Sequence, residues 1–292
     1  MKYFTKEWYE LCQKTNLDCN LKVDERASVK DEKLYESLYK KEERRMVELE
    51  RDVYDFDPRE LINSANAPLI EEGGHEEKRE FIFLSDSQRE SFDAAVKAYD
   101  ERPPFDEAKV KKDFARAMKL NEERLVASLT EEIVNKVADM RVLSLGYCTK
   151  EVLAEIKKLS KANERAVEKV IRDYTKAQKE ENIPKRISKL TFHDCEVTDF
   201  YIENADATMT FDNDGGFTDY DKIIFKSAEI TETSGRIIGS YWLYEEVYRC
   251  GEGYEIHVLF SKEELSELII KCSDVVVGKT NATGKRRGFP SV

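Results

Sequence analysis

Between Leu190 and Val275, two histidines and four carboxylates stand out as able to hold a metal ion or move a proton: His193, Asp194, Glu245, Glu246, Glu255 and His257. Two of the three histidines are among them. Imidazole nitrogens and carboxylate oxygens together suit zinc, manganese or iron. A metal-bound water would supply a nucleophile at neutral pH without a serine or cysteine. A metal-assisted enzyme, for example a hydrolase, using His193, His257 and a carboxylate such as Glu255 is therefore the alternative reading. Local geometry weakens it. Neighbouring strand residues point to opposite faces, so His193 and Asp194 diverge. In Tyr254-Glu-Ile-His257-Val, alternation puts Glu255 and His257 on one face and the apolar residues on the other, the pattern of a strand with one wet face. The spacing does not demand a metal, and no cofactor is expected.

A second cluster, Asp212, Asp214, Asp219 and Asp221, surrounds Gly215-Gly216. A calcium loop of the EF-hand type needs a ligand at its fifth position and glycine at its sixth. Counted from Asp212 those places hold Gly216 and Phe217, so the pattern fails. An exposed acidic hairpin is the better reading, with Asp214 and Asp219 able to meet a basic partner. The run Tyr241-Trp-Leu-Tyr-Glu-Glu-Val-Tyr248 alternates Trp242, Tyr244, Glu246 and Tyr248 against Tyr241, Leu243, Glu245 and Val247. The second set is the expected core face. The first is an aromatic stripe expected to pack beneath another element. Because aromatic anchors dominate protein interfaces, Trp242 and Tyr244 are kept as candidate contact residues, with Glu246.

The remaining chemistry is sparse. No G-x-S-x-G, H-E-x-x-H, dinucleotide fingerprint or phosphate-binding loop occurs. The six cysteines (12, 19, 148, 195, 250, 272) form no C-x-x-C pair, which argues against structural zinc and for free thiols.

The elements that must position these residues follow from the pattern of the whole chain. At 292 residues, with 37% charged and 10% aromatic, it is charge-rich yet able to bury a core. The net charge of −12 is uneven. From Leu190 onward there are 19 acidic and 10 basic residues, a balance of −9, against −3 for the rest. An acidic domain repels phosphate backbones, so nucleic acid is not an expected partner. No apolar run reaches the ~20 residues of a membrane span, and the start lacks the order of a signal peptide. A cytoplasmic protein without a membrane partner is expected. Nothing in the pattern selects an oligomeric state.

Apolar residues recur at helical spacing near 5–15, 29–53, 105–120 and 149–181, with a further helix after Ser85 or Asp86. Thr130 reads as an N-cap, and Asn182-Ile-Pro184 stops the long helix. FIFL at 81–84 reads as a short strand or buried linker, and His75 as solvated within the 71–80 loop. After Pro184 the period changes toward two, and strands are expected at 190–203, 206–212, 220–230, 237–249, 254–260 and 267–276. Asn213-Asp-Gly-Gly216 is expected to turn a hairpin.

Five segments, MKYFTKEWYELCQ, EEIVNKVADMRVLSLGY, LTFHDCEV, GSYWLYEEVY and GYEIHVLF, resemble a bacterial family catalogued only as a domain of unknown function. The resemblance implies a bacterial, cytoplasmic protein and carries no activity to transfer. The β-rich part is also similar, in hairpin order and its early His-Asp, to modules of bacterial immunity proteins. The expected architecture is α+β: a mainly helical region over 1–189, an antiparallel β-sheet or small barrel over 190–278, and a basic tail over 279–292. The expected role is a non-enzymatic interaction protein whose acidic β domain meets a protein partner, a basic one by charge.

Overall fold

The computed structural model describes residues 1–61, 86–188, 190 and 192–280. The expectations for the 71–80 loop with His75, for FIFL at 81–84 and for the tail beyond Thr280 lie outside those residues. Helices α1 (Lys6–Cys12), α2 (Glu32–Asp55), α3 (Asp86–Asp100), α4 (Glu107–Ser128), α5 (Glu131–Val134), α6 (Met140–Ser144), α7 (Lys150–Glu180) and α8 (Lys185–Ser188) precede an antiparallel sheet, so the fold is α+β.

Helix ends follow the chemistry of unsatisfied amides. Thr5 Oγ1 accepts from Trp8 N, and Asp31, Asp106 and Asp139 cap α2, α4 and α6 in the same way. Asp139 also explains why EEIVNKVADMRVL forms two short helices rather than one: its side chain draws in the N–H of Arg141 and starts a new helix. Asn182, at φ 53°, ends the long helix just before Ile183-Pro184.

The chain forms two compact units, Met1–Leu17 with Lys157–Val292, and Asp18–Ile156. The second unit is built on Leu34, Leu38, Phe114, Val142, Leu145 and Tyr147. It also contains a two-residue parallel ladder between β1 (Lys22–Val23) and β2 (Tyr147–Cys148).

The first unit holds eight further strands: β3 (Glu196–Glu203), β4 (Asp206–Asp212), β5 (Lys222–Lys226), β6 (Glu229–Ser234), β7 (Tyr241–Cys250), β8 (Gly253–Ser261), β9 (Leu265–Cys272) and β10 (Asp274–Gly278). They lie in the order β10-β5-β4-β3-β7-β8-β9-β6, an open sheet with two edges and not a barrel. Its inner face is one apolar core, including Phe192, Met209, Phe225, Trp242, Ile256, Phe260 and Ile270. At about 1.5–3 kcal/mol for each large side chain removed from water, this core is the main support of the site described below.

Two expected strands are each split. Ser227, at φ 49°, separates β5 from β6, and Ser273 separates β9 from β10, sending successive strands to opposite ends of the sheet. The tight turn falls at Asn204-Ala205, both at positive φ, rather than at Asn213-Asp-Gly-Gly216. The latter opens a longer loop between Asp212 and Lys222.

Candidate functional site

The strand β7 carries Trp242, Tyr244 and Glu246 and is not regular. Its register against β8 runs Trp242 opposite Phe260 and then Tyr244 opposite Leu259, so Leu243 is an extra residue in a bulge. The bulge turns Trp242 onto the core face together with Glu245 and Val247. Trp242 is 0% exposed and lies 5.7 Å from the Phe192 ring, 5.9 Å from Phe211 and 5.6 Å from Phe260. This corrects the expected alternation: Trp242 belongs to the core and cannot anchor a partner. Its indole N–H donates to Glu245 Oε2 at 2.9 Å, and Leu190 N donates to Glu245 Oε1 at 3.4 Å. Burial pushes the Glu245 carboxyl above its ordinary value, opposed by the indole hydrogen bond and by nearby His193.

Tyr244, Glu246 and Tyr248 take the other face. Tyr244 packs on Trp8 at 4.9 Å, Phe4 at 5.7 Å and the His193 ring at 5.1 Å. The expected packing under another element therefore occurs, with the N-terminal segment as a principal cover. Glu246 is 0% exposed, an unusual place for a carboxylate, and its oxygens are fully engaged. Oε1 accepts from Tyr3 N at 2.7 Å and Phe4 N at 2.5 Å, while Oε2 accepts from Lys2 N at 2.8 Å and from the Tyr248 hydroxyl. Charge-assisted bonds of this kind are what make a buried charge tolerable. Glu246 thus ties residues 2–4 to β7, a structural role.

The two histidines serve separate neighbours. His257 is buried, with Nε2 at 2.8 Å from Glu255 Oε1 and its ring 5.2 Å from Tyr248. His193 is half-exposed, with Nδ1 3.0 Å from Asp194 Oδ1. The pair lies in a turn, with Asp194 at φ 65°, and not in a strand, so the two side chains meet where strand alternation had them diverge. Among the described residues no group of three or more His, Cys, Asp and Glu side chains is placed to hold a metal ion. Three of the thiols are unsuited to nucleophilic work: burial pushes Cys12 and Cys195 up to about 11 and Cys272 up to about 12, so these three stay protonated at neutral pH.

The acidic loop is the most exposed of the candidates. Asn213 Nδ2 donates to Thr218 O at 2.9 Å and Tyr220 O at 3.4 Å, closing the loop on itself. Asp212 Oδ1 accepts from Asp214 N at 3.1 Å. At its base, a Cβ on Gly216 would come within 2.3 Å of Cys195 Sγ, so glycine is required for the loop to lie against the start of β3. Held this way, the loop lifts Phe217 to 85% exposure, the most exposed large apolar side chain among the described residues. Asp214 and Asp219 stand beside it, both exposed, and Lys279 lies 3.9 Å from Asp219. Gly216, Phe217, Thr218, Asp219, Tyr220 and Lys279 outline a groove of about 480 Å³.

A family model described as "Protein of unknown function (DUF4085)" matches residues 75–270. The chain belongs to the DUF4085 family. That span takes in strands β3 to β8, most of β9 and the acidic loop, but neither β10 nor the N-terminal segment held by Glu246. No curated protein and no solved structure matches the chain. Among the described residues no helix is long and apolar enough to cross a membrane.

The sequence pointed to Asp214 and Asp219 but passed over Phe217. A large apolar residue inside a Gly-Gly/Thr-Asp turn was the available signal. Glu246, a candidate contact residue by its alternation with Trp242 and Tyr244, is buried instead. Two adjacent carboxylates in an aromatic strand were the sign that one must be buried and partnered.

Proposed function

We propose that this protein is a non-enzymatic interaction module whose loop 213–221 binds a basic protein partner. The carrying observation is an exposed phenyl ring, Phe217, raised on a glycine-anchored loop between Asp214 and Asp219. An apolar anchor with an acidic rim matches the anatomy of a protein interface, where an aromatic group supplies affinity and surrounding charge supplies steering. Trp242 is buried in the core and Tyr244 packs against the N-terminal segment, so neither is a contact residue in this reading. The metal-assisted alternative gains nothing from two histidines that face different neighbours.

The test is affinity capture on the full-length protein in low and moderate salt. Wild type should retain a discrete basic protein at low salt, with less at moderate salt. Phe217→Ala should weaken that complex by about 2 kcal/mol, and Asp214→Lys/Asp219→Lys should abolish it. A partner retained equally by all three proteins would sink the proposal.

A further inference from the structure

Sheet edges invite pairing with other chains, and natural sheets blunt them. In the first unit most of the exposed edge is blunted by visible means. On β10, Arg186 Nη1 donates to Val275 O at 3.1 Å and its other nitrogen pairs with Asp274. Beyond Trp242, the side of β7 not paired with β8 is closed by Tyr174, whose hydroxyl accepts from Val247 N at 2.9 Å, and by Glu181, which accepts from Arg249 N at 2.7 Å. The other end strand, β6, carries a bulge between Ile230 and Glu232.

One stretch is different. β3 joins the β7 side only at its start, where Val197 exchanges hydrogen bonds with Ser240 and Gly239. Among the described residues its continuation, Asp199–Glu203, pairs with β4 alone. The two-residue turn Asn204-Ala205, with φ of 50° and 65°, makes Glu203–Asp206 a hydrogen-bonded pair. Alternation then makes Tyr201–Thr208 and Asp199–Thr210 bonded pairs as well. The N–H and C=O groups of Phe200 and Ile202 must therefore point away from β4, along the open edge. Phe200 N–H indeed has a substitute acceptor, the side chain of its own neighbour Asp199 at 2.8 Å. Ile202 is 57% exposed and Tyr201 40%.

We propose that Asp199–Glu203 is a docking edge that accepts an extended segment of another protein as an added β-strand. Residues directly opposite in a sheet share a face, so the edge also specifies the guest. Opposite Phe200 and Ile202 it takes apolar side chains. Opposite Asp199, Tyr201 and Glu203 it takes lysine or arginine, which meet two carboxylates and a ring that attracts cations. A second copy of this chain is a poor guest, since it would set carboxylate against carboxylate. The surface is separate from loop 213–221, and each can fail alone.

The probe is a capped peptide of about eight residues alternating lysine and valine, titrated by fluorescence anisotropy into the full-length protein. One comparison peptide carries N-methyl groups on alternate amides, and another has the same composition in two blocks. The alternating peptide should bind, and both comparison peptides should bind at least about tenfold more weakly. Ile202→Pro, which removes an outward N–H without touching the β4 ladder, should also weaken binding by about tenfold or more at an unchanged melting temperature. Phe217→Ala should leave it unaltered. Equal binding of the block or N-methylated peptide, or no binding of the alternating one, would overturn the docking edge. Loss on Phe217→Ala with Ile202→Pro unaffected would assign the peptide to the loop and likewise overturn it.

Discussion

At the residue scale, the two adjacent glutamates of β7 do opposite things. Glu246 is a fully buried carboxyl group with four donors, and Glu245 is a partly buried one with two. Replacing Glu246 by alanine leaves the amides of Lys2, Tyr3 and Phe4 and the Tyr248 hydroxyl without their acceptor, so the expected loss is about 3 kcal/mol in urea denaturation. Glu246→Gln keeps one acceptor oxygen but turns an NH2 toward the same donors, and should fall between alanine and wild type. For Glu245 the folded chain holds the proton more tightly than the unfolded one, because burial raises its carboxyl above the ordinary 4.5. Its contribution to stability is therefore largest below that value and declines as pH rises toward the raised one. Glu245→Gln should consequently be at least as stable as wild type at pH 7 and lose that advantage in acid, as paired denaturation curves would show. A stability difference independent of pH would contradict it. Trp242→Ala should cost about 3–5 kcal/mol, the range for emptying a packed core site.

At the element scale, what the sequence disclosed depended on whether the cause was local. The end of the long helix was legible because the stop at Asn182-Ile-Pro184 acts within a few residues. The cap at Asp31 was not singled out, Thr130 stands at the N-cap without a side-chain bond, and the helix expected over 105–120 runs on to Ser128. The change from helical to alternating period located the sheet. The bulge at Leu243 was not legible, because a period-two reading assumes no interruption, and one extra residue moved Trp242 to the other face. The turn at Asn204-Ala205 was hidden by an alanine at positive φ, a conformation its side chain disfavours. Glu246 was hidden more deeply, since its donors lie some 240 positions away in sequence. Loop placement makes a prediction at this scale. Gly216→Ala should destabilise by about 1–3 kcal/mol through collision with Cys195, and Cys195→Ala should relieve most of it. Additive losses in that double-mutant cycle would show that the loop is not seated on Cys195.

At the scale of the molecule, the proposed interface lies in the acidic part of the first unit. The balance is −9 from Leu190 onward, although residues 1–17 and 157–189 bring the whole unit to −2. The most exposed large apolar groups of that unit, Phe217 on the loop and Ile202 on β3, are where the proposed partner would settle. Both groups lie on or beside the sheet whose core fixes them, as a preorganised interface requires. The most direct test replaces Phe217 by a photo-cross-linking phenylalanine analogue in cells, with the exposed Val126 of the other unit as control position. The account expects a discrete adduct to a basic protein from position 217, reduced by Asp214→Lys/Asp219→Lys, and none from position 126. No adduct at 217, or the same adducts at both positions, would contradict it.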